Sequence, residues 1–356
     1  MKASDLGEFG LIARLTEALA SRAAGRASGE VAGRLAVGIG DDAAVWRSDG
    51  GAVIATTDTL VAGVHFLPDR TPRRDLGWKA IAVNVSDVAA MGGTPDFALV
   101  TLAMPEETTV SQIDDLYEGL SEAGEAYGVV IAGGDVVRSP TEMVSVTLTG
   151  RAEVDAAGEP LVMRRDAARE GDLLAVTGCL GGAGGGLRAL RAEPEDEALR
   201  EAAADSKAVR ALIERHLRPQ ARAQAGRAAL SAGIRCAIDV SDGLLQDLGH
   251  VCHSSGLGAT IQRDKLPIDP ALTQLYEADE ALRYAVAGGE DYELLLAGRR
   301  ESIDEAARRS DVPLTVIGEM VADPERRARL LDASGQEMAL PSAGWDHLRP
   351  SGREQG

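Results

Sequence analysis

The chain has 356 residues, of which 45% are hydrophobic and 26% charged, so it is long enough to form two domains with ordinary apolar cores. Its 37 lysine and arginine residues are outnumbered by 56 aspartate and glutamate residues, which gives a formal net charge of −19. This charge argues against sequence-independent binding of nucleic acid and against docking on anionic lipid, because both need clustered basic side chains. No apolar run is long enough to cross a membrane. We therefore expect a soluble cytoplasmic protein.

Three cysteines, Cys179, Cys236 and Cys252, are spread along the chain without a C-x-x-C spacing. An odd number of widely spaced cysteines is not typical of a disulfide framework or of a structural zinc site. This usage favours a reducing, cytoplasmic setting.

Short β-branched segments alternate with longer helical segments along the chain. In the first half the pattern predicts helices over 9–20, 74–91 and 110–126, and strands over 35–39, 52–56, 97–104, 129–132 and 143–149. In the second half it predicts helices over 181–190, 193–209 and 221–232, a helix from a Ser241 cap to His253, and strands over 172–177, 234–240, 292–296 and 313–317. The pattern is interrupted between 150 and 165, so we expect two α/β domains, 1–150 and 151–356, with the site between them.

Acidic residues recur beside small residues where apolar strands are predicted to end. The five places are Gly40-Asp41-Asp42, Thr56-Thr57-Asp58, Gly133-Gly134-Asp135, Asp239-Val240-Ser241-Asp242 and Gly288-Gly289-Glu290-Asp291. Strand ends in an α/β sheet border the crevice where ligands bind. Any one of these segments could instead be a turn or a helix cap, since Asp and Gly favour both. Five of the same form favour a functional site.

Asp87 lies late in the predicted helix 74–91, within an apolar run. A carboxylate in such a helix needs a partner, which could be an arginine or a cation. If several carboxylates converge, two unit charges at 4 Å repel by about 4 kcal/mol at an effective dielectric constant of 20. Oxygen ligands without a His/Cys cluster favour a hard cation, and Mg²⁺ is commonly shared with substrate phosphates. The sequence therefore predicts a Mg–nucleotide site.

Other kinds of phosphate site fit the sequence less well. None of the four lysines follows a glycine, which excludes a Walker A loop. Segment 38–43 has the G-x-G-x-x-A form of a dinucleotide-binding turn, but its Asp41 and Asp42 would repel a pyrophosphate. The glycine-rich segment 178–186 could hold a phosphate on its backbone amides, or it could be a crossover turn.

Six segments, in the same order as in the family, resemble the thiamine-monophosphate kinase family. They are 38–43 (GIGDDA), 56–66 (TTDTLVAGVHF), 84–92 (NVSDVAAMG), 133–135 (GGD), 238–244 (IDVSDGL) and 288–294 (GGEDYEL). The resemblance spans Gly7 to about His347. The acidic motifs alone are shared with the aminoimidazole-ribonucleotide synthetase and selenophosphate synthetase families. Thr56 stands where relatives commonly have Ser, and the hydroxyl is kept.

The resemblance implies ATP-dependent phosphorylation of thiamine monophosphate to thiamine diphosphate by a cytoplasmic homodimer. It implies an α/β fold with mixed (α+β) sheets of the aminoimidazole-ribonucleotide synthetase type, in which residues 1–150 bind Mg/ATP and pair across the dimer and 151–356 complete the site. Several Mg²⁺ ions would be held by Asp42, Thr56, Thr57, Asp58, Asp87, Asp135, Asp239 and Asp242. ATP would contact Gly134, Asp135, Arg165 and Ser241. Thiamine monophosphate would contact His65, Glu290 and Trp345.

Each of three implied ligand contacts has a structural alternative. Arg165 could form a solvated basic pair with Arg164, His65 could be a loop residue, and Trp345 could close a core.

The acceptor phosphate is mostly dianionic at neutral pH, since its second pKa is about 6, and it needs no general base. We therefore expect direct in-line transfer with Mg²⁺ ions, no catalytic base and no phospho-enzyme. One alternative is a related ATP-dependent synthetase that releases ADP and inorganic phosphate. Another is a protein that binds Mg–nucleotide without catalysis.

Overall fold

The structure, a computed structural model, describes residues 34–191 and 207–338. Over these residues the chain forms a seven-stranded sheet from its first half and a six-stranded sheet from its second half. The predicted helix 9–20 and most of the predicted segment 193–209 lie outside the described residues, as does Trp345. None of the described helices is long and apolar enough to cross a membrane.

The first sheet has the strand order β1-β2-β3-β6-β4-β5, with β7 beside β6. Its strands are β1 (Leu35–Val37), β2 (Ala44–Ser48), β3 (Gly51–Val61), β4 (Thr94–Met104), β5 (Val130–Arg138), β6 (Met143–Val154) and β7 (Pro160–Leu161). Strands β4 and β5 are parallel, whereas β6 is antiparallel to both β3 and β4. The sheet is therefore mixed. Strand β6 ends at Val154, four residues beyond the predicted boundary at residue 150. The division of the chain into 1–150 and 151–356 stays a prediction.

Helices α1 (Arg73–Ala90) and α2 (Val110–Tyr127) cover one face of this sheet. Helix α1 is buried nearly all round, as expected for a helix whose apolar residues do not form a single stripe. It ends before Gly92, which has a left-handed φ of 74°, in agreement with the predicted glycine stop. A Cβ at Gly119 of α2 would lie 1.8 Å from the carbonyl oxygen of Arg74, so a glycine is needed where the two helices approach.

None of the described helices covers the opposite face of the first sheet, which we call the outer face. Phe97 and Leu99 of β4 are 53% and 52% exposed there. The strand register places Thr59, Ser145, Thr101 and Asp135 side by side across this face. The edge strand β5 is exposed along most of its length.

The second sheet has the order β13-β10-β12-β8-β11-β9 and is also mixed, since β10 and β13 are parallel while the other pairs are antiparallel. Its strands are β8 (Leu173–Thr177), β9 (Cys236–Val240), β10 (Gly258–Gln262), β11 (Glu293–Gly298), β12 (Leu314–Val321) and β13 (Ala328–Leu331). Its helices are α3 (Gly182–Arg191), α4 (Lys207–Leu217), α5 (Ala223–Ser231), α6 (Leu244–Ser255), α7 (Pro270–Leu275), α8 (Ala278–Ala287) and α9 (Arg300–Arg309).

The C-terminal end of α1 also packs against the second sheet. Ala89 and Ala90 belong to an apolar cluster that contains Leu294 and Leu296 of β11. A Cβ at Gly226 of α5 would lie 2.1 Å from the carbonyl oxygen of Ala89, which shows how closely α5 approaches α1. One helix therefore contacts both sheets, and residues near its end can meet side chains from either.

Candidate active site

Carboxylates from both sheets converge beside the end of α1. Oxygen atoms of Asp42, Asp87 and Asp239 lie within 4.8 Å of one another. Asp58 of β3 is close enough for its charge to act on both Asp87 and Asp239. We call these four residues the acidic cluster. It joins the loop after β1, strand β3, helix α1 and the end of β9, which are far apart in sequence.

Hydroxyl groups orient two of these carboxylates. Thr56 donates a hydrogen bond from Oγ1 to Oδ2 of Asp87 at 2.5 Å. Ser86 donates from Oγ to Oδ2 of Asp239 at 2.7 Å. The sequence analysis left two partners open for Asp87, an arginine or a cation. Among the described residues the hydrogen-bond donor to Asp87 is Thr56, so the arginine is not supported.

The proximity of these carboxylates changes their protonation. Burial raises the pKa of Asp87 well above its ordinary value, and the charges of Asp58, Asp239 and Asp42 raise it further. Burial and the charge of Asp42 raise the pKa of Asp239 to about 8. Burial also raises the pKa of Asp41 to about 7, with a further contribution from Asp42. The protein alone therefore leaves negative charge at this place poorly compensated.

The donor set of the acidic cluster fits a hard divalent cation. All four side chains offer carboxylate oxygens, and neither a histidine nor a cysteine belongs to the cluster. Mg²⁺ and Ca²⁺ prefer such oxygen ligands, whereas soft metals prefer thiolates and imidazoles. A cation held there would offset the mutual repulsion of the carboxylates.

Arg165 lies at the rim of the acidic cluster. Its Nη2 is 2.6 Å and its Nε 3.3 Å from the two carboxylate oxygens of Asp42, and its backbone N–H donates to Asp41 at 3.3 Å. Its side chain is 22% exposed, while Arg164 pairs separately with Asp166. The alternative of a solvated basic pair is therefore not supported, whereas the contact with ATP stays a prediction.

The segment after β9 is shaped by a residue that the sequence analysis did not single out. The carboxylate of Asp247 accepts hydrogen bonds from the backbone N–H groups of Ser241, Asp242 and Gly243, each at 3.1 Å. The prediction that Ser241 caps the following helix is wrong. Helix α6 begins at Leu244, and its N-cap residue is Gly243. A carboxylate in the first helical turn reaches back and satisfies these amides instead.

Ser241 and Asp242 lie close to the acidic cluster. Ser241 Oγ is 3.5 Å from Oδ1 of Asp239. Asp242 accepts a hydrogen bond from Gln246 at 3.2 Å and, with Asp247 and His250, forms a second group whose ligand atoms lie within 4.8 Å of one another.

Two predicted site residues, Thr57 and Asp135, lie apart from the acidic cluster, towards the outer face. Thr57 donates from Oγ1 to the carbonyl oxygen of Val146 at 3.1 Å, and its side chain is exposed. Asp135 accepts a hydrogen bond from its neighbour Val136 and shares the outer face with Thr101. Gly134 precedes Asp135 in the edge strand β5. Asp58 and Asp135 lie inside strands rather than at strand ends, because β3 and β5 are longer than predicted.

The predicted contacts of thiamine monophosphate lie in different surroundings. His65 accepts a hydrogen bond at Nδ1 from the backbone N–H of Val61, within the turn after β3. Glu290 is paired with Lys79 at 2.7 Å and with His216 at 3.0 Å. Trp345 lies outside the described residues.

Amides of the glycine-rich segment 178–186 are bound within the protein. The N–H groups of Gly181 and Ala183 donate to the carboxylate of Asp291 at 2.6 and 3.2 Å. A Cβ at Gly186 would lie 2.1 Å from the carbonyl oxygen of Leu212 in α4. These contacts favour the alternative in which the glycines serve the turn and helix packing.

Four functional-site neighbours were missed in the sequence: Lys79, Ser86, His216 and Asp247. Lys79 had a detectable signal, because it is one of only four lysines and lies in an apolar helical run. The other three are ordinary residues in amphipathic or apolar segments, and their partners become visible only in the folded chain.

Comparison with known proteins identifies the family. The profile described as "AIR synthase related protein, N-terminal domain" matches residues 40–152, and "AIR synthase related protein, C-terminal domain" matches residues 169–330. These two matches define an AIR synthase related protein. The thiamine-monophosphate kinase of Escherichia coli is 38% identical over 348 residues, which cover 96% of this chain and 98% of that protein. The chain belongs to the thiamine-monophosphate kinase family.

Solved structures give the same result. A structure described as AaThiL complexed with AMPPCP and TMP superposes with a TM-score of 0.79 at 33% identity, covering 98% of this chain and 99% of the other. The thiamine-monophosphate kinase of Stenotrophomonas maltophilia gives a TM-score of 0.71 at 33% identity, covering 91% and 96%. The expected fold class and family are confirmed.

Proposed function

We propose that this protein transfers the γ-phosphoryl group of ATP to thiamine monophosphate and releases thiamine diphosphate and ADP. The observation that carries the proposal is the convergence of Asp42, Asp87 and Asp239 within 4.8 Å, with Asp58 beside them. The choice of substrates is supported by relatives that are named thiamine-monophosphate kinase and match nearly the whole chain. It is also supported by one such structure, which contains AMPPCP and TMP.

The acidic cluster is where we place Mg²⁺ in this proposal, held by Asp42, Asp58, Asp87 and Asp239. Bound there, Mg²⁺ would neutralise phosphate charge and so allow one anion to approach another. Thr56 and Ser86 fix the orientation of Asp87 and Asp239 by donating to them. Thr56, Thr57, Asp135 and Asp242 complete the metal set implied by the family resemblance, and this site does not need them as ligands.

The chain's own residues orient the reactants rather than exchange protons with them. Arg165 offers a planar guanidinium that can bind phosphate oxygens through two N–H groups. Asp247 holds the Ser241–Asp242 segment next to Asp239. An acceptor phosphate needs no base, so we propose direct in-line transfer without a covalent enzyme intermediate. ATP contacts at Gly134, Asp135, Arg165 and Ser241, and thiamine monophosphate contacts at His65, Glu290 and Trp345, remain part of this proposal.

We also propose a cytoplasmic homodimer that pairs through the outer face of the first sheet. This face carries half-exposed Phe97 and Leu99 beside the exposed edge strand β5. Apolar surface of this kind is usual at protein–protein interfaces. Sedimentation at micromolar concentration should give twice the chain mass, and Leu99→Asp should shift it to the mass of one chain.

A single assay separates the proposed function from its alternatives. The purified chain is incubated with ATP and Mg²⁺, with and without thiamine monophosphate, and ADP, inorganic phosphate and thiamine diphosphate are measured by chromatography. We expect ADP and thiamine diphosphate in equal amounts, only with thiamine monophosphate present. Release of inorganic phosphate without thiamine diphosphate would instead support a synthetase, and nucleotide binding without ADP formation would support a non-catalytic binder.

A further inference from the structure

Two almost fully buried titratable side chains, Lys79 and His216, contact Glu290 of the 288–292 segment. Nζ of Lys79 in α1 is 2.7 Å from Oε1 of Glu290, and Nδ1 of His216 in α4 is 3.0 Å from its Oε2. The side chains of Lys79 and His216 are only 2% and 3% exposed. Burying a charged pair costs desolvation free energy that apolar residues of similar size would avoid. Its presence therefore suggests a role other than simple stabilisation.

The backbone that carries Glu290 is in an unfavourable conformation. Glu290 has a φ of 69° and Tyr292 a φ of 50°. These left-handed values cost about 1 kcal/mol or more for each residue other than glycine, and they persist only where surrounding contacts impose them. The Glu290 carboxylate makes two contacts that can impose this conformation, one with Lys79 and one with His216.

This strained segment lies directly on the residues that follow β9. The N–H of Glu290 donates to the carbonyl oxygen of Ser241 at 2.7 Å, and the N–H of Tyr292 donates to that of Val240 at 2.9 Å. A Cβ at Gly289 would lie 2.7 Å from the same Ser241 oxygen. The 288–292 segment therefore packs directly against the backbone of Ser241, whose hydroxyl lies 3.5 Å from Asp239 of the acidic cluster.

We propose that Lys79 and His216 are positioning residues that hold the Glu290 carboxylate and thereby keep the 288–292 segment and Ser241 in place for phosphoryl transfer. Lys79 lies two helical turns before Asp87 on the same helix. Its contact with Glu290 therefore connects α1, which carries Asp87, to the 288–292 segment, which packs against Ser241. The expected effect on turnover rests on the proposed function. The contacts of Lys79 and His216 with Glu290 do not depend on it, because they are part of the folded structure.

The charge states within this group follow from its contacts. Burial alone would raise the pKa of Glu290, but the charge of Lys79 and the contact with His216 hold it below its usual range. Burial lowers the pKa of His216, and the positive charge of Lys79 lowers it further. The other charged groups that act on His216 are Glu290 and Arg191 at the end of α3. Near neutral pH Glu290 is thus ionised and His216 neutral.

The first test replaces Lys79 with a side chain of similar length but no charge. Lys79→Met should lower kcat at pH 8 at least tenfold. Lowering the pH to 6 should recover part of the loss, because His216 is then free to take up a proton and supply the missing charge. The double variant Lys79→Met/His216→Gln should lose this recovery. Lys265→Met removes an exposed lysine from the 3₁₀ turn Arg263–Lys265 and should leave kcat within twofold.

The second test does not depend on activity. Hydrogen exchange of the Glu290 and Tyr292 amides should be at least tenfold faster in Lys79→Met than in the unaltered chain. The amide of Leu294, which donates to Thr177 in β8, should be unchanged. If Lys79→Met does not fold, His216→Leu and His216→Gln replace it, and the leucine variant should show faster exchange at Glu290 than the glutamine variant.

The outcomes separate the two proposals. If the unaltered chain makes no thiamine diphosphate, the proposed function fails, while the exchange measurement still decides the positioning role. If the chain is active and Lys79→Met has unchanged exchange at Glu290 and Tyr292 and an unchanged pH profile, Lys79 is not a positioning residue.

Discussion

Ser86 on α1 donates a 2.7 Å hydrogen bond to Asp239 at the end of β9, although the two residues are 153 positions apart. Both are buried, with exposed fractions of 0% and 3%. The bond therefore fixes the helix that covers the first sheet relative to a strand of the second sheet at the acidic cluster.

Ser86→Ala should weaken both the fold and the proposed cation site. Loss of a buried hydrogen bond to a carboxylate costs about 1.5–3 kcal/mol, and it removes an interaction that lowers the pKa of Asp239. We expect a lower free energy of unfolding in urea and a several-fold higher Mg²⁺ concentration for half-maximal turnover. Ser121→Ala, which removes an exposed hydroxyl of α2, should change neither. Equal behaviour of the two variants would argue against the role of Ser86.

Asp58→Asn and Asp87→Asn should each lower kcat by at least about 10²-fold, because an amide offers one neutral oxygen in place of an ionised carboxylate. Steady-state rates over a range of Mg²⁺ concentrations measure the effect, and circular dichroism checks the fold. Asp279→Asn is the matched control, since Asp279 is 88% exposed and pairs with Arg263 on the surface. Near-normal rates for Asp87→Asn at limiting Mg²⁺ would rule out the acidic cluster as the metal site.

Without divalent cations, the protein should become less stable as the pH rises from about 5 to 8. The pKa of Asp239 is raised from 3.8 to about 8, so the folded chain keeps a proton that the unfolded chain loses above about pH 4. The unfolded state then binds fewer protons, and each such group lowers the free energy of unfolding by up to about 1.4 kcal/mol per pH unit in this window.

Mg²⁺ should counteract this loss, and more strongly at pH 8 than at pH 5.5, because cation binding needs the ionised carboxylates. Thermal unfolding with EDTA or with Mg²⁺ at equal ionic strength measures the difference. Asp239→Asn should flatten the dependence on pH. A Mg²⁺ stabilisation that is the same at both pH values would contradict this prediction.

Two helical glycines should respond oppositely to alanine. Gly119→Ala places a methyl group 1.8 Å from the carbonyl oxygen of Arg74 and should destabilise the protein by roughly 1–3 kcal/mol, because α1 and α2 must separate. Gly249→Ala in α6 meets nothing within 4 Å and should stabilise it by about 0.5–1 kcal/mol through helix propensity. Urea unfolding of both variants measures the two changes. Destabilisation by Gly249→Ala would show that the close approach of α1 and α2 at Gly119 does not explain the loss of stability in Gly119→Ala.

The sequence predicted most strands of both sheets and the helices α1, α2, α3, α5 and α6, because apolar periodicity and the glycines at turns are local properties. It did not predict the helices α7, α8 and α9 or the strands β2, β7, β10 and β13. The glycine stop at Gly92 is an example, since its left-handed φ of 74° is a property of a single residue. The lengths of β3 and β5 were underestimated, because Asp58 and Asp135 resemble turn residues when their pairing partners are unknown. Once β3 pairs with β6 over ten positions, Asp58 is an ordinary strand residue.

The sequence by itself determined the chemistry that is available: many carboxylates beside small residues, few lysines and no motif for a soft metal. Only the tertiary structure decided which carboxylates meet. Thr56 and Asp58 lie on the same side of β3 as Asp87, whereas Thr57 between them lies on the other side. The physical reason is that side chains alternate along a strand, and that the face each one occupies depends on strand pairing and on the helix packed above, both of which are non-local.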